Sequence, residues 1–152
     1  MTHTPVRLSR RRMLQHGATV LGGVGAATLL GACASLVTRT ITPVDGRIQL
    51  DISSAPELAT PNGALRIHVP SREAPLYIVA TGAGTFAALS SICTHRGCVV
   101  DIQGARLVCP CHGSTYDRDG RVLQGPAERA LDRYRVDKVG NVLTIDLQQR
   151  PA

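Results

Sequence analysis

Two short segments concentrate the reactive side chains of this chain. Cys93-Thr94-His95-Arg96-Gly97-Cys98 and Cys109-Pro110-Cys111-His112-Gly113-Ser114 hold four of its five cysteines and two of its five histidines. Each segment offers two thiols and one imidazole, and three schemes use them. Two disulfides account for the cysteines of an exported domain but leave both histidines without a role. A zinc site of two Cys and two His is chemically available, although structural zinc is usually held by Cys pairs or His pairs about two to five residues apart within one loop. The third scheme is a two-iron cluster in which one iron takes a thiolate from each loop and the other an imidazole from each. The mixture of Cys-x-His with Cys-x-x-His suits that scheme.

Such loops need a frame, and the frame reads as strands. Arg47-Ile48-Gln49-Leu50-Asp51-Ile52 and Leu65-Arg66-Ile67-His68-Val69 alternate with period two, which places Leu65, Ile67 and Val69 inward. Leu76 to Ala80 is a short apolar run. Gly82-Ala83-Gly84 marks a turn, and Thr85 to Ile92 follows it. Tyr134 and Val136 alternate with charges, Gly140-Asn141 marks a tight turn, and Leu143, Ile145 and Leu147 share the next inward face, so the last two strands read as a hairpin. No stretch beyond the N-terminal segment carries a helical stripe. The expectation is an all-β domain over 47–147, preceded by a tether at 34–46 and followed by a tail at 148–152. The turn-rich stretch from Cys93 to Ala127 lies within the domain, as functional loops carried by a sheet commonly do. His68 shares the outward face of Arg66 and is expected in solvent, while Tyr77, Phe86 and Tyr134 are expected in the core.

Composition narrows the function. The chain has 152 residues, 43% of them hydrophobic and 18% charged, which suits one folded domain rather than a disordered chain. The net charge of +6 suggests nucleic acid, but the first 32 residues contain Arg7, Arg10, Arg11 and Arg12 and no acid, leaving 13 basic and 11 acidic residues elsewhere. There is no basic stripe for phosphates, and with aromatics at 3% there is little to stack bases. No Ser–His–Asp set, glycine-rich phosphate loop or carboxylate pair stands out, so no independent catalytic centre is expected. The N-terminal arginines precede a run without charge over residues 17–38, the physical form of an export signal or anchor.

Taken together, the two cysteine–histidine boxes resemble the Rieske [2Fe–2S] family, in the high-potential branch with a disulfide beside the cluster. The resemblance spans about residues 85–147. It implies a Rieske-type antiparallel β-sandwich with an inserted, loop-rich cluster-binding subdomain, and one [2Fe–2S] cluster per chain. By the motif, Cys93 and Cys109 ligate one iron, His95 and His112 the other, and Cys98 pairs with Cys111. Ser114 and Tyr116 fall where the family donates hydrogen bonds to a bridging sulfide and a ligand thiolate. Gly125-Pro126-Ala127 falls where a proline loop covers the cluster. Two ferric ions, two sulfides and two thiolates sum to zero charge, so taking up one electron is easier than with four thiolates, and a potential in the upper part of the Rieske range is expected.

Ser9-Arg10-Arg11-Arg12-Met13-Leu14-Gln15 resembles a twin-arginine signal, and Leu30-Gly31-Ala32-Cys33 resembles a bacterial lipobox. Residues 1–33 are therefore expected to be an export signal or anchor, with Cys33 a lipidation candidate and the domain on the periplasmic side, attached to the membrane. A disulfide fits that oxidising compartment. The resemblance implies a redox protein as partner, such as a cytochrome or an oxidoreductase subunit. Three roles fit: a one-electron carrier, the Rieske subunit of a quinol–cytochrome c oxidoreductase, or the small subunit of an exported molybdenum oxidase of the arsenite oxidase type. A module that has lost its cluster is disfavoured by the intact ligands. Arg96 stands where the quinol-oxidising family usually has Leu, and a guanidinium on a dry docking surface is costly unless paired. This favours the carrier and a partner with an acidic rim.

Overall fold

The computed structural model describes residues 36–148. The expected signal at 1–33, with Cys33, lies outside these residues, as do positions 149–152 of the expected tail. Eleven strands build two antiparallel sheets with one parallel edge pair. The larger sheet contains β1 (Thr38–Thr40), β2 (Arg47–Asp51), β3 (Ala64–His68), β4 (Leu76–Gly82), β5 (Thr85–Ser90), β10 (Arg133–Val139) and β11 (Val142–Asp146), in the order β1-β3-β4-β5-β10-β11-β2. The smaller sheet is the meander β6 (Asp101–Gln103), β7 (Arg106–Val108), β8 (Thr115–Tyr116) and β9 (Val122–Gln124). Two 3-10 turns, Ile52–Ser54 and Pro56–Ala59, follow β2. Among the described residues there is no α-helix, and no helix is long and apolar enough to cross a membrane. The all-β expectation holds.

The alternating segments do what their period demands. Ile48 and Leu50 of β2, and Leu65 and Ile67 of β3, point into one core with Leu143 and Ile145 of β11, around which the large sheet curls. β4 is different. Its first four residues are all buried: Leu76 and Ile78 in that core, Tyr77 and Val79 in a second one. β5 divides likewise, with Ala88 on one side and Ala87 and Leu89 on the other. A strand covered on both faces loses the polar half of the alternation, which is why this stretch reads as an unbroken apolar run. The second core also contains Cys93, Cys109, Val100, Leu107 and Tyr116, so the β4–β5 hairpin is the wall on which the smaller sheet and its loops are mounted.

The C-terminal hairpin forms as read, with Val139 opposite Val142 across Gly140-Asn141. His68 is exposed, Tyr77 and Tyr134 are buried, and Phe86 packs against the first core, partly exposed. The stretch read from sequence as a tether is docked over part of its length. Thr38, Arg39 and Thr40 pair in parallel with Arg66, Ile67 and His68, the Ile41 amide donates to the His68 carbonyl at 3.0 Å, and Arg39 pairs with Glu57 at 3.0 Å. A Thr-Arg-Thr strand at a sheet edge is held by backbone bonds and one ion pair rather than by an apolar face, so it leaves no periodic signal.

One buried cation joins the two sheets. Arg118, 9% exposed, donates from Nε to the Ala80 carbonyl at 2.9 Å, from Nη1 to the Gly104 carbonyl at 2.9 Å, and from Nη2 to the Gly63 carbonyl. These acceptors belong to β4, to the β6–β7 turn and to the entry of β3. Replacing Arg118 by Met keeps the aliphatic bulk but removes all three donors. The Gly63 carbonyl keeps the Ala80 amide and Gly104 is open to water, so at about 1–3 kcal/mol for a buried group left unsatisfied the variant is expected to lose about 1–3 kcal/mol, measured as a lower denaturant midpoint at unchanged m-value.

Candidate metal centre

The two boxes fold into matching loops. In the first, between β5 and β6, the Cys93 amide donates to the Cys98 carbonyl at 2.8 Å and the Gly97 amide returns to the Cys93 carbonyl at 2.9 Å. In the second, between β7 and β8, the Cys109 amide donates to the Ser114 carbonyl at 2.8 Å and the Gly113 amide returns to the Cys109 carbonyl at 3.0 Å. Both returns need a left-handed residue, which explains the glycine fourth after each leading cysteine: Gly97 has φ +80° and Gly113 φ +78°. The closure sinks Cys93 and Cys109 into the second core and lifts the histidine of each loop outward, His95 half-buried and His112 exposed.

The six candidate ligands then sort themselves. Cys98 and Cys111 form a disulfide with their Cα atoms 6.6 Å apart, linking the tips of the loops. Cys93 and Cys109 are free thiols, 2% and 1% exposed. The sulfurs of Cys98, Cys109 and Cys111 lie within 4.8 Å of one another, but the two in the disulfide have no thiolate to give, so this trio is not a ligand set. The His95 and His112 rings meet edge to face with centroids 4.9 Å apart. His95 Nδ1 is buried without a hydrogen-bond partner. A buried imidazole nitrogen is ordinarily paired, and one left open in a loop whose cysteine is a buried free thiol fits coordination of a metal. Two free thiols and two imidazoles, one of each from each loop, remain as candidate donors. Neither the two-disulfide scheme nor loss of the centre fits these side chains.

Donors crowd one sulfur more than the other. The Tyr116 hydroxyl is 3.3 Å from Cys93 Sγ. Burial pushes the Cys93 thiol up, but hydrogen bonds from Tyr116, the His95 amide, Cys109 and Ser114 outweigh it and leave the thiol below its ordinary pKa. Burial and the neighbouring Cys93 push the Cys109 thiol up, against the pull of the Cys111 and His112 amides. Burial, and then the partnership with Cys93, also raise Tyr116. The Ser114 oxygen accepts the Ala127 amide at 3.0 Å, and this bond ties the 125–127 loop to the site.

Sequence reading missed Thr94. Its amide donates to the Tyr116 oxygen at 3.2 Å, and its hydroxyl lies 3.1 Å from that oxygen and donates to the Arg129 carbonyl at 2.6 Å. It therefore holds the first loop, the tyrosine and the covering loop together. Only its place between Cys93 and His95 hinted at this. Arg118 was equally hidden, since an arginine among turn residues reads as solvent-exposed.

Comparison with known proteins gives the same answer. Residues 52–135 match the Rieske [2Fe-2S] domain. The chain is 34% identical over 135 residues to the cytochrome b6-f complex iron-sulfur subunit of Chlorobaculum tepidum, covering 86% of this chain and 71% of that subunit. It is 37% identical over 101 residues to the chloroplastic cytochrome b6-f complex iron-sulfur subunit 1 of Nicotiana tabacum, covering 63% of this chain but only 44% of that protein. The chain thus spans less than half the length of the tobacco relative. Among solved structures, the soluble domain of the Rieske protein II (soxF) of Sulfolobus acidocaldarius matches with a TM-score of 0.54 at 21% identity, over 66% of this chain and 76% of that one, a likeness of fold. With two free thiols and two imidazoles gathered beside one disulfide, and a family match across more than half its length, the chain belongs to the Rieske [2Fe–2S] family and binds a [2Fe–2S] cluster.

Proposed function

We propose that Cys93 and Cys109 ligate one iron and His95 and His112 the other, and that the protein is a one-electron carrier. The observation that carries the assignment is His95 Nδ1, buried and unpartnered in a loop whose cysteine is a buried free thiol. Held by two thiolates and two neutral imidazoles, the cluster is uncharged when oxidised and accepts one electron at a comparatively high potential. The chain's own groups favour the extra negative charge. Tyr116 reaches Cys93 Sγ, and Ser114, its oxygen occupied by the Ala127 amide, keeps its hydroxyl proton for the centre. The disulfide holds the loops in register, and the loop at Gly125, Pro126 and Ala127 shields the centre from water.

The cellular setting follows from the N-terminal segment. Export by a twin-arginine route delivers the domain to the periplasmic side, where an oxidising compartment preserves the Cys98–Cys111 disulfide. Attachment is through lipid on Cys33 or through the uncleaved apolar run. The runner-up, a subunit of a cytochrome-containing complex, draws support from the names of the relatives, while Arg96 in the box speaks for the carrier.

The assignment predicts two irons and two acid-labile sulfides per chain, and a mixed-valence diiron paramagnetic signal on reduction. Zinc in their place, or a reduced sample with no such signal, contradicts it. Mass mapping of the unreduced protein, alkylated after denaturation, is expected to show one linked pair, Cys98 with Cys111, and alkylated Cys93 and Cys109. Ser114→Ala is expected to lower the reduction potential by about 60–130 mV, the value of one hydrogen bond to a charged group (about 1.5–3 kcal/mol) at about 59 mV per tenfold. An unchanged potential in protein-film voltammetry removes Ser114 from this role. Cys33→Ala is expected to move the protein from membrane to soluble fraction, and retention in the membrane assigns attachment to the apolar run instead.

A further inference from the structure

The first core stays open at the end of the large sheet that carries the β4–β5 and β10–β11 turns. The ladder between β5 and β10 stops at Ala88 and Tyr134, although β5 begins at Thr85 and β10 runs on to Val139. Ile52 and Phe86 pack against the core there and remain partly exposed. At this opening lies a cleft of about 840 Å³, whose lining includes Ile52, Leu58, Ala80, Phe86, Arg118 and Lys138. Clefts that take a drug-sized molecule measure about 300–1,000 Å³. It lies at the opposite end of β5 from Cys93 and shares no residue with the candidate metal centre.

Its walls are apolar and its available charges are positive. Lys138 stands opposite Leu143, which is buried in the first core, and so continues the inward row of Tyr134 and Val136. An apolar residue there would extend the core, but Lys138 brings an ammonium to the cleft instead. Its neighbour Asp137 pairs with Arg135 at 3.0 Å. Arg118, 9% exposed, spends three of its five N–H groups on carbonyls, which leave its charge uncompensated. Burial lowers its pKa and no acid opposes that shift. Asp117, the carboxylate of the lining, is already engaged. It accepts the Asp119 and Arg121 amides at 2.9 and 2.8 Å, and the Arg121 guanidinium lies 3.8 Å away. Among the described residues no carboxylate pairs with Arg118 or Lys138. A buried guanidinium without a counter-ion is costly, and an anion entering the cleft relieves that cost.

We propose that this cleft binds a small organic carboxylate with an apolar body, at a site independent of the ligand assignment made above. The body covers Ile52, Leu58 and Phe86, and the carboxylate is drawn to Arg118 and Lys138. Amines meet two like charges there, so the site discriminates by charge as well as by shape. Binding forms no covalent bond and moves no electron.

The test titrates the full-length holoprotein calorimetrically with phenylbutyrate, with the protein-free medium as blank. One saturable site per chain is expected. Phenylbutyrate should bind at least about tenfold more tightly than acetate, which lacks the body, or phenylbutylammonium, which reverses the charge. Lys138→Glu should weaken phenylbutyrate about tenfold at low salt, the difference narrowing as salt is added. Arg96→Glu makes the same change of net charge at the cluster loops and should alter the affinity less than about twofold. Ala83→Trp places an indole in the space from an exposed turn position of the lining. It should weaken binding at least about tenfold at an unchanged denaturant midpoint. Absence of saturable binding overturns the proposal, as does equal binding of phenylbutylammonium. Equal effects of the two charge reversals, or undiminished binding by folded Ala83→Trp protein, overturn the cleft as the site. The diiron paramagnetic signal of the same sample tests the centre separately, because its absence contradicts the iron ligands while the titration still decides the cleft.

Discussion

Two loops on either side of the β6–β7 hairpin must present their donors to one small inorganic group, and the disulfide between Cys98 and Cys111 is the covalent link between them. Each loop closes on itself through a matching pair of backbone hydrogen bonds, which fix the cysteine and histidine of that loop relative to each other. Those bonds do nothing to place one loop against the other. That task falls to the β6–β7 pairing, to the disulfide at the loop tips and to the packing of Cys93 and Cys109 into a shared core beneath. The centre is therefore clamped from above and below, and its side chains are ordered before any electron arrives. In the carrier proposed above this matters, because donors already in position need not reorganise when the charge changes.

The electrostatics of the site are lopsided. Tyr116, Ser114 and the His95 amide favour charge on Cys93, whereas the Cys109 thiol sits among weaker compensations and is raised by burial and by its neighbour. The two sulfurs, equivalent in the sequence motif, are unequal in the fold. Thr94 explains how the arrangement is kept. Because its amide donates to the Tyr116 oxygen and its hydroxyl is spent on the Arg129 carbonyl, the tyrosine proton is left to point toward the sulfur or the threonine oxygen. Small shifts of the covering loop thus act on the hydrogen bond that most favours a charged Cys93.

Much of this was legible in the residues because it rests on residue type and spacing. Paired thiols and imidazoles have few chemical uses, and the period of two in β2 and β3 has one geometric meaning. The apolar run of β4 was legible as a strand but not as the shared wall of two cores, since a run of four apolar residues does not say what covers each face. What stayed hidden depends on backbone partners. β1 is held by edge pairing and an ion pair with Glu57, and Arg118 by three carbonyls from separate segments. Carbonyls are the same at every position, so no pattern in the sequence marks the ones that a distant arginine will find.

The hidden contacts turn out to have a common consequence. Arg118 and docked β1 both stiffen the end of the domain remote from the cluster loops, one by bridging the sheets, the other by fixing where the chain enters. An edge strand with three paired residues, none of them fully buried, and a partly exposed Arg39–Glu57 bond is the least buried strand of the large sheet. A surface ion pair contributes up to about 1 kcal/mol, so β1 is held mainly by its backbone bonds and by Ile41 against the first core. Whether Thr38 to Thr40 belong to the sheet is therefore governed by a local docking equilibrium rather than by an apolar pattern.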